Sequence, residues 1–111
     1  MISDELAKAA DTVSEAIKQT PEYRGFTERK KLANLDPETK ALIDRARDLQ
    51  TRLMEIPEEE RNSDHAERLQ EEYEEVAENT AVYEYSRAEA LYMTMIQEVL
   101  GRIIENVDID I

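Results

Sequence analysis

Apolar residues recur along this chain every three or four positions, in five runs parted by short polar or proline-containing breaks. The first run, Leu6, Ala10, Val13 and Ile17, steps by four, three and four, which places it on one face of a helix expected over about 3–19. Ser3 is suited to cap that helix, with Asp4 and Glu5 near the positive end of its dipole. Thr20-Pro21 then reads as a cap followed by a proline at the first helical position, where a missing N–H costs nothing. It opens a second helix over about 21–34 that carries Tyr23, Phe26 and Lys30. Asp36-Pro37 repeats the device and opens a third, over about 37–56. There Leu42, Ala46, Leu49, Leu53 and Ile56 step by four, three, four and three, a heptad seam. Ile43 and Met54 widen that stripe, and Pro57 ends it.

Residues 57–63 are polar and read as the main loop. Ser63 or Asp64 caps a fourth helix over about 64–78, on which Ala66, Leu69, Tyr73 and Val76 share a face. Asn79-Thr80 marks a break or a kink. Beyond it Val82, Tyr85, Ala88, Tyr92, Ile96, Val99 and Ile103 form one long stripe on a helix over about 80–106. Gly101 weakens that helix by about 1 kcal/mol relative to Ala without stopping it. The tail Val107-Asp108-Ile109-Asp110-Ile111 alternates like a strand, but it is short and terminal, so fraying is expected.

The pattern predicts an all-α fold: an antiparallel long helical hairpin with short N-terminal helices, in a single domain over 1–111. A helix of about 20 residues is about 30 Å long, so such a hairpin cannot cover its own apolar stripes. The remainder favours a second copy related by a two-fold axis, giving a dimeric helical bundle. Leu42, Ala46, Leu49, Leu53 and Ile56 on one helix, and Tyr92, Ile96, Val99 and Ile103 on another, are the candidate oligomer or partner interface.

Composition strengthens the case for self-association. With no Trp, one Phe and five Tyr among 111 residues, the core must come from aliphatic side chains and is lean for its length. There is no Cys, which rules out disulfides, thiolate zinc sites and Cys-held iron–sulfur clusters, and which suits a reducing cytoplasm. No basic segment followed by an apolar run begins the chain, and no stretch approaches the roughly 20 apolar residues that span a bilayer. A cytoplasmic protein with no membrane contact is expected. The net charge of −13 is uneven: residues 1–54 balance, whereas 55–78 hold eleven acidic and two basic side chains. That segment repels phosphate backbones and disfavours direct nucleic-acid binding.

Candidate chemistry is sparse. His65 is the only histidine; Asn62 and Arg68 flank it at minus and plus three, so the Glu-x-x-His motif of a di-iron bundle is absent. Glu71, Glu72, Glu74, Glu75 and Glu78 can be read as a hard-cation site, as a docking surface for a basic partner or as a solvated face; no turn glycine accompanies them. Arg24, Arg29, Lys30 and Lys31 can grip phosphate or a carboxylate, though Glu28 interrupts the cluster. Tyr73, Tyr83, Tyr85 and Tyr92, with Met93 and Met95, suit core-edge packing or an adaptable protein-binding surface. One histidine and no cysteine leave no nucleophile–base pair to assemble, and two glycines make no phosphate loop. No catalytic residue, metal or cofactor is expected.

The order and spacing of several short phrases resemble the YlbF/YmcA family of small helical bacterial proteins across nearly the whole chain. They are Ala16-Ile17-Lys18, Pro21-Glu22-Tyr23, Phe26, Asp36-Pro37-Glu38, Leu49-Gln50, Leu69-Gln70, Asn79, Val82, Tyr85, Ala88-Glu89 and Leu91. The resemblance implies an all-α homodimer with a regulatory role through protein–protein contact. It also implies kinship with a cytoplasmic complex that affects competence, biofilm formation and sporulation, in part by assisting an endoribonuclease in messenger maturation. Cysteine-held iron–sulfur binding by members of that complex is not carried over, because no Cys is present. Two readings of different class stand beside this adaptor: a carboxylate-lined metal-binding helical-bundle enzyme, and a self-associating acidic protein with no dedicated partner.

Overall fold

Each helix begins at a short polar side chain that satisfies backbone N–H groups left open in the first turn. The computed structural model describes residues 1–107, and the alternating tail lies outside the described residues from 108 onward. The α-helices are α1 (Asp4–Lys18), α2 (Pro21–Leu35), α3 (Pro37–Glu55), α4 (Asp64–Ala77) and α5 (Thr80–Asn106). No strand occurs among the described residues. Ser3 Oγ accepts from the Leu6 N–H and Ser63 Oγ from the Ala66 N–H. Thr20 Oγ1 accepts from the Tyr23 N–H while donating to the Ile17 carbonyl, so one hydroxyl closes α1 and opens α2.

Asp36 is the single residue between α2 and α3. Its Oδ1 accepts from the Glu38 N–H and its Oδ2 from the Thr39 hydroxyl. Pro37 forces its predecessor out of the helical region, and Asp36 is accordingly extended, with φ −121° and ψ 101°. The break at Asn79 is likewise a cap: its Oδ1 accepts from the N–H groups of Ala81 and Val82. The segment read as a loop over 57–63 contains one short 3₁₀ turn, Glu58–Glu60, entered through the extended Pro57. Carbonyls within that turn collect the following N–H groups, including Glu60 O from Ser63 N–H, which leads the chain straight into the α4 cap.

By backbone contacts the chain divides into two compact units. The first comprises Met1–Arg29 with the chain from Ala88 onward: α1, the start of α2 and the later part of α5. Its internal packing includes an aromatic group, in which the Tyr92 ring lies 5.3 Å from Phe26 and 6.1 Å from Tyr23, both tilted. The second unit is Lys30–Arg87, and in it α3 packs against α4. The eight buried residues among those described all belong to this second unit: Ala33, Ile43, Ala46, Leu49, Ala66, Leu69, Val82 and Tyr85. They come from α2, α3, α4 and the first two turns of α5, so each element contributes one stretch of its stripe to a shared core.

Candidate functional site

The apolar stripe of α5 is continuous in sequence but not in burial. Val82 is 1% exposed and Tyr85 is buried. Ala88, Tyr92, Ile96 and Val99 are half-buried, and Ile103 is 44% exposed. Beside the far end of the stripe, Leu100, Ile104 and Val107 are all exposed. Leu100 and Ile104 follow Ile96 at steps of four, so they broaden the same face. Sequence reasoning stopped at the narrow seam and missed them, although that spacing was available to find them. On α1 the expected face is also open: Leu6 and Ala10 are exposed, while Val13 and Ile17 are half-buried. An apolar helix face of this kind is a surface that lowers its free energy by being covered.

Of the α3 seam, Ala46 and Leu49 are enclosed by the chain itself, so they have no surface left to offer another molecule. Leu42, Leu53 and Ile56 are half-buried. The seam therefore splits by depth, its centre forming core and its ends reaching the surface. At the C-terminal end, Leu53 and Met54 of α3 and its C-cap Ile56 meet Ala66 of α4 in an open groove of about 600 Å³. Gln50, Gln70, Arg61, Glu67 and Glu71 form its polar edges.

The groups singled out for chemistry do not converge. His65 is exposed in the first turn of α4. No cluster of three or more His, Asp or Glu side chains is placed to hold a metal ion among the described residues. Within the Glu run, Glu72 pairs with Arg45 of α3 at 2.8 Å, and Glu74 accepts from the Gln70 amide at 3.1 Å. In the basic cluster, Arg24 donates to Gln19 Oε1 at 2.6 Å. The four tyrosines separate: Tyr83 is exposed, Tyr73 half-buried, Tyr85 buried, and Tyr92 belongs to the aromatic group with Tyr23 and Phe26.

Tyr85 holds a long-range polar contact at the edge of the core. Arg47 Nη2 donates to its hydroxyl at 2.8 Å, and the guanidinium lies 5.4 Å from the ring centroid. A buried phenol requires a partner, and an Arg on α3 supplies it while its guanidinium lies over the ring. No pattern in the sequence links residues 47 and 85. No enclosed side-chain polar atom lacks a hydrogen-bond partner among the described residues. Among the described residues Asp36 is the one carboxyl held clearly below its ordinary range; the Thr39 hydroxyl is the main cause, helped by the N–H groups of the first turn of α3. That is the signature of a helix cap. No helix among the described residues is long and apolar enough to cross a membrane.

These observations define a small all-helical protein whose most prominent features are apolar helix faces and a groove. A family model described as "Control of competence regulator ComK, YlbF/YmcA" matches residues 6–108, nearly the whole chain, and the chain belongs to that family. Membership links it to the control of competence. No curated protein and no solved structure matches it significantly.

Proposed function

We propose that this chain is a non-enzymatic regulator that acts in the cytoplasm by protein–protein contact, as a homodimer that also engages a regulatory partner. In this reading α3 and α4 form an antiparallel hairpin, and the open faces of α1 and late α5 are covered by a second copy. The observation that carries it is the loss of burial along a single stripe, from 1% exposure at Val82 to 44% at Ile103, with Leu100, Ile104 and Val107 open beside it. A helix face that is apolar throughout but enclosed only at one end calls for an external cover at the other. Arg102 stands between Glu98 and Glu105 on this helix, a mixture of signs that a two-fold self-contact can pair. Family membership supports the regulatory part. The resemblance to members that affect biofilm formation and sporulation and that assist RNA processing extends the proposal to those pathways.

Sedimentation equilibrium over a wide concentration range tests the assembly. The expected mass is twice that of the chain, and Ile103→Glu combined with Ile104→Glu is expected to give a helical monomer. A wild-type monomer at high concentration, or a dimer indifferent to both substitutions, overturns the self-association. For the partner, affinity capture from native lysate is repeated after nuclease treatment. Nuclease-resistant recovery of an endoribonuclease is the expected result, and recovery only through nucleic acid removes the adaptor role.

A further inference from the structure

We propose that the groove at the C-terminal end of α3 docks an amphipathic helix with basic flanks, supplied by a different protein. The claim rests on the reading of the chain as a protein-binding regulator, but it concerns a surface separate from the α1 and α5 faces. The floor is apolar: Leu53 and Ile56 are half-buried, Ala66 is buried, and Met54 projects into solvent at 79% exposure. The volume of about 600 Å³ suits several aliphatic side chains presented at successive turns of a helix. Met54 lends the floor adaptability, since an unbranched thioether refits to differently shaped partners.

Charge selects the occupant. Glu67 and Glu71, one helical turn apart on α4, form an acidic edge, and the surrounding residues 55–78 carry eleven acidic and two basic side chains. An approaching Lys- or Arg-flanked helix is steered to this end of the molecule and paired once seated. A second copy docked groove to groove would set the same carboxylates against one another, which disfavours self-association here. A small organic ligand is less suited, because the groove is open and no buried polar side chain aims into it to fix an orientation.

The test is an NMR titration of the ¹⁵N-labelled full chain with three synthetic peptides: a Leu/Lys helix with one apolar face, its Leu/Glu counterpart, and a Leu/Lys peptide of the same composition with the face scrambled. The expected result is saturable binding of the Leu/Lys helix alone, with shifts concentrated at residues 53–56 and 66–71. Met54→Asp is expected to weaken it at least about tenfold. Glu67→Lys with Glu71→Lys should transfer the preference to the Leu/Glu helix. Met54, Glu67 and Glu71 are all exposed, so the variants should fold, as far-UV circular dichroism will verify. Equal binding of the scrambled peptide, or shifts spread over the whole acidic segment and unaffected by Met54→Asp, reduces the effect to bulk charge and overturns the proposal. A fall in oligomeric mass on Met54→Asp also overturns it, because the groove is then covered by a second copy. Undiminished peptide binding by the Ile103→Glu, Ile104→Glu variant keeps the two surfaces distinct: a failed groove then leaves self-association standing, and the reverse.

Discussion

The two compact units are built by the same rules and reach opposite ends of the burial scale. Among the described residues, Lys30–Arg87 contains every buried one, and it has neither glycine. The other unit contains both glycines, Gly25 and Gly101, and no buried residue among those described, where nine large apolar side chains are exposed. Local propensity does not separate them, since α1 is capped as well as α4 and its apolar spacing is as regular. What separates them is the supply of neighbours. In the second unit α3 and α4 bring two stripes together and α2 and α5 each add a piece, so Leu49 and Val82 are almost fully enclosed. Helix formation and helix burial are therefore distinct outcomes: caps and periodicity determine the first, and the number of facing stripes determines the second.

The largest expected effect sharpens this contrast. Leu49→Ala leaves a cavity in the enclosed core and should cost about 2–5 kcal/mol, the usual range for a buried leucine. Leu100→Ala, at an exposed position of α5, should cost under about 0.5 kcal/mol in the isolated chain. Its penalty should appear only as the protein is concentrated. Urea unfolding at low and high protein concentration reads both. Equal penalties for the two variants in dilute solution would abolish the distinction between the units.

A smaller effect comes from the Arg47–Tyr85 contact. Tyr85→Phe keeps the ring but removes the hydroxyl to which Arg47 donates, and the loss of that hydrogen bond should cost about 1 kcal/mol. Tyr92→Phe preserves the ring contacts with Tyr23 and Phe26 and should be nearly silent. In the opposite direction, Gly101→Ala should stabilise α5 by about 0.5–1 kcal/mol. An added Cβ meets nothing within 4 Å and no backbone angle demands glycine there. Thermal unfolding followed by circular dichroism distinguishes a gain from a loss. A Gly101→Ala loss at high concentration alone would place a partner's backbone against that position.

How far the chain could be read in advance follows from the range of each interaction. The caps at Ser3, Thr20, Asp36 and Ser63 are legible because donor and acceptor lie within three residues, and the helix ends followed from them. Asn79 was legible only as a break, because a cap and a kink share the same residue type. The α3 stripe was legible as a stripe. Its division into a core at Ala46 and Leu49 and a groove floor at Leu53 and Ile56 was not, because that depends on where α4 ends alongside it. The Tyr92–Phe26 and Arg47–Tyr85 contacts span dozens of residues and left no local trace. The acidity of 55–78 was plain from composition, yet its association with an apolar groove required the packing of α3 on α4.

The smallest effect concerns one cap of the second unit. Ser3 and Thr20 in the first unit and Ser63 and Asn79 in the second cap their helices with groups that do not titrate, whereas Asp36, which begins α3, does. The Thr39 hydroxyl and the first-turn N–H groups favour the ionised carboxylate, so Asp36 loses its proton more readily in the folded chain than in the unfolded one. A folded-state pKa below the unfolded value means that the unfolded chain takes up the proton first as pH falls. The stabilisation is complete above the unfolded pKa, near pH 4, and disappears as pH drops through the folded one. Asp36→Asn retains a capping oxygen without the charge, so wild type should exceed it in urea midpoint at pH 7 and converge on it once pH has fallen through the lowered folded-state pKa. The gap should be small, since Asp36 is exposed and water screens its charge. Taking the difference between two chains cancels the general relief of repulsion that acid brings to a molecule of net charge −13. Thr39→Val should shrink the neutral-pH gap by removing the main hydrogen bond to the carboxylate. A gap of constant size as pH falls from 7 through the carboxylate range would mean that the side-chain oxygen alone caps α3, and Asp36 would then act as the uncharged Ser63 and Asn79 caps do.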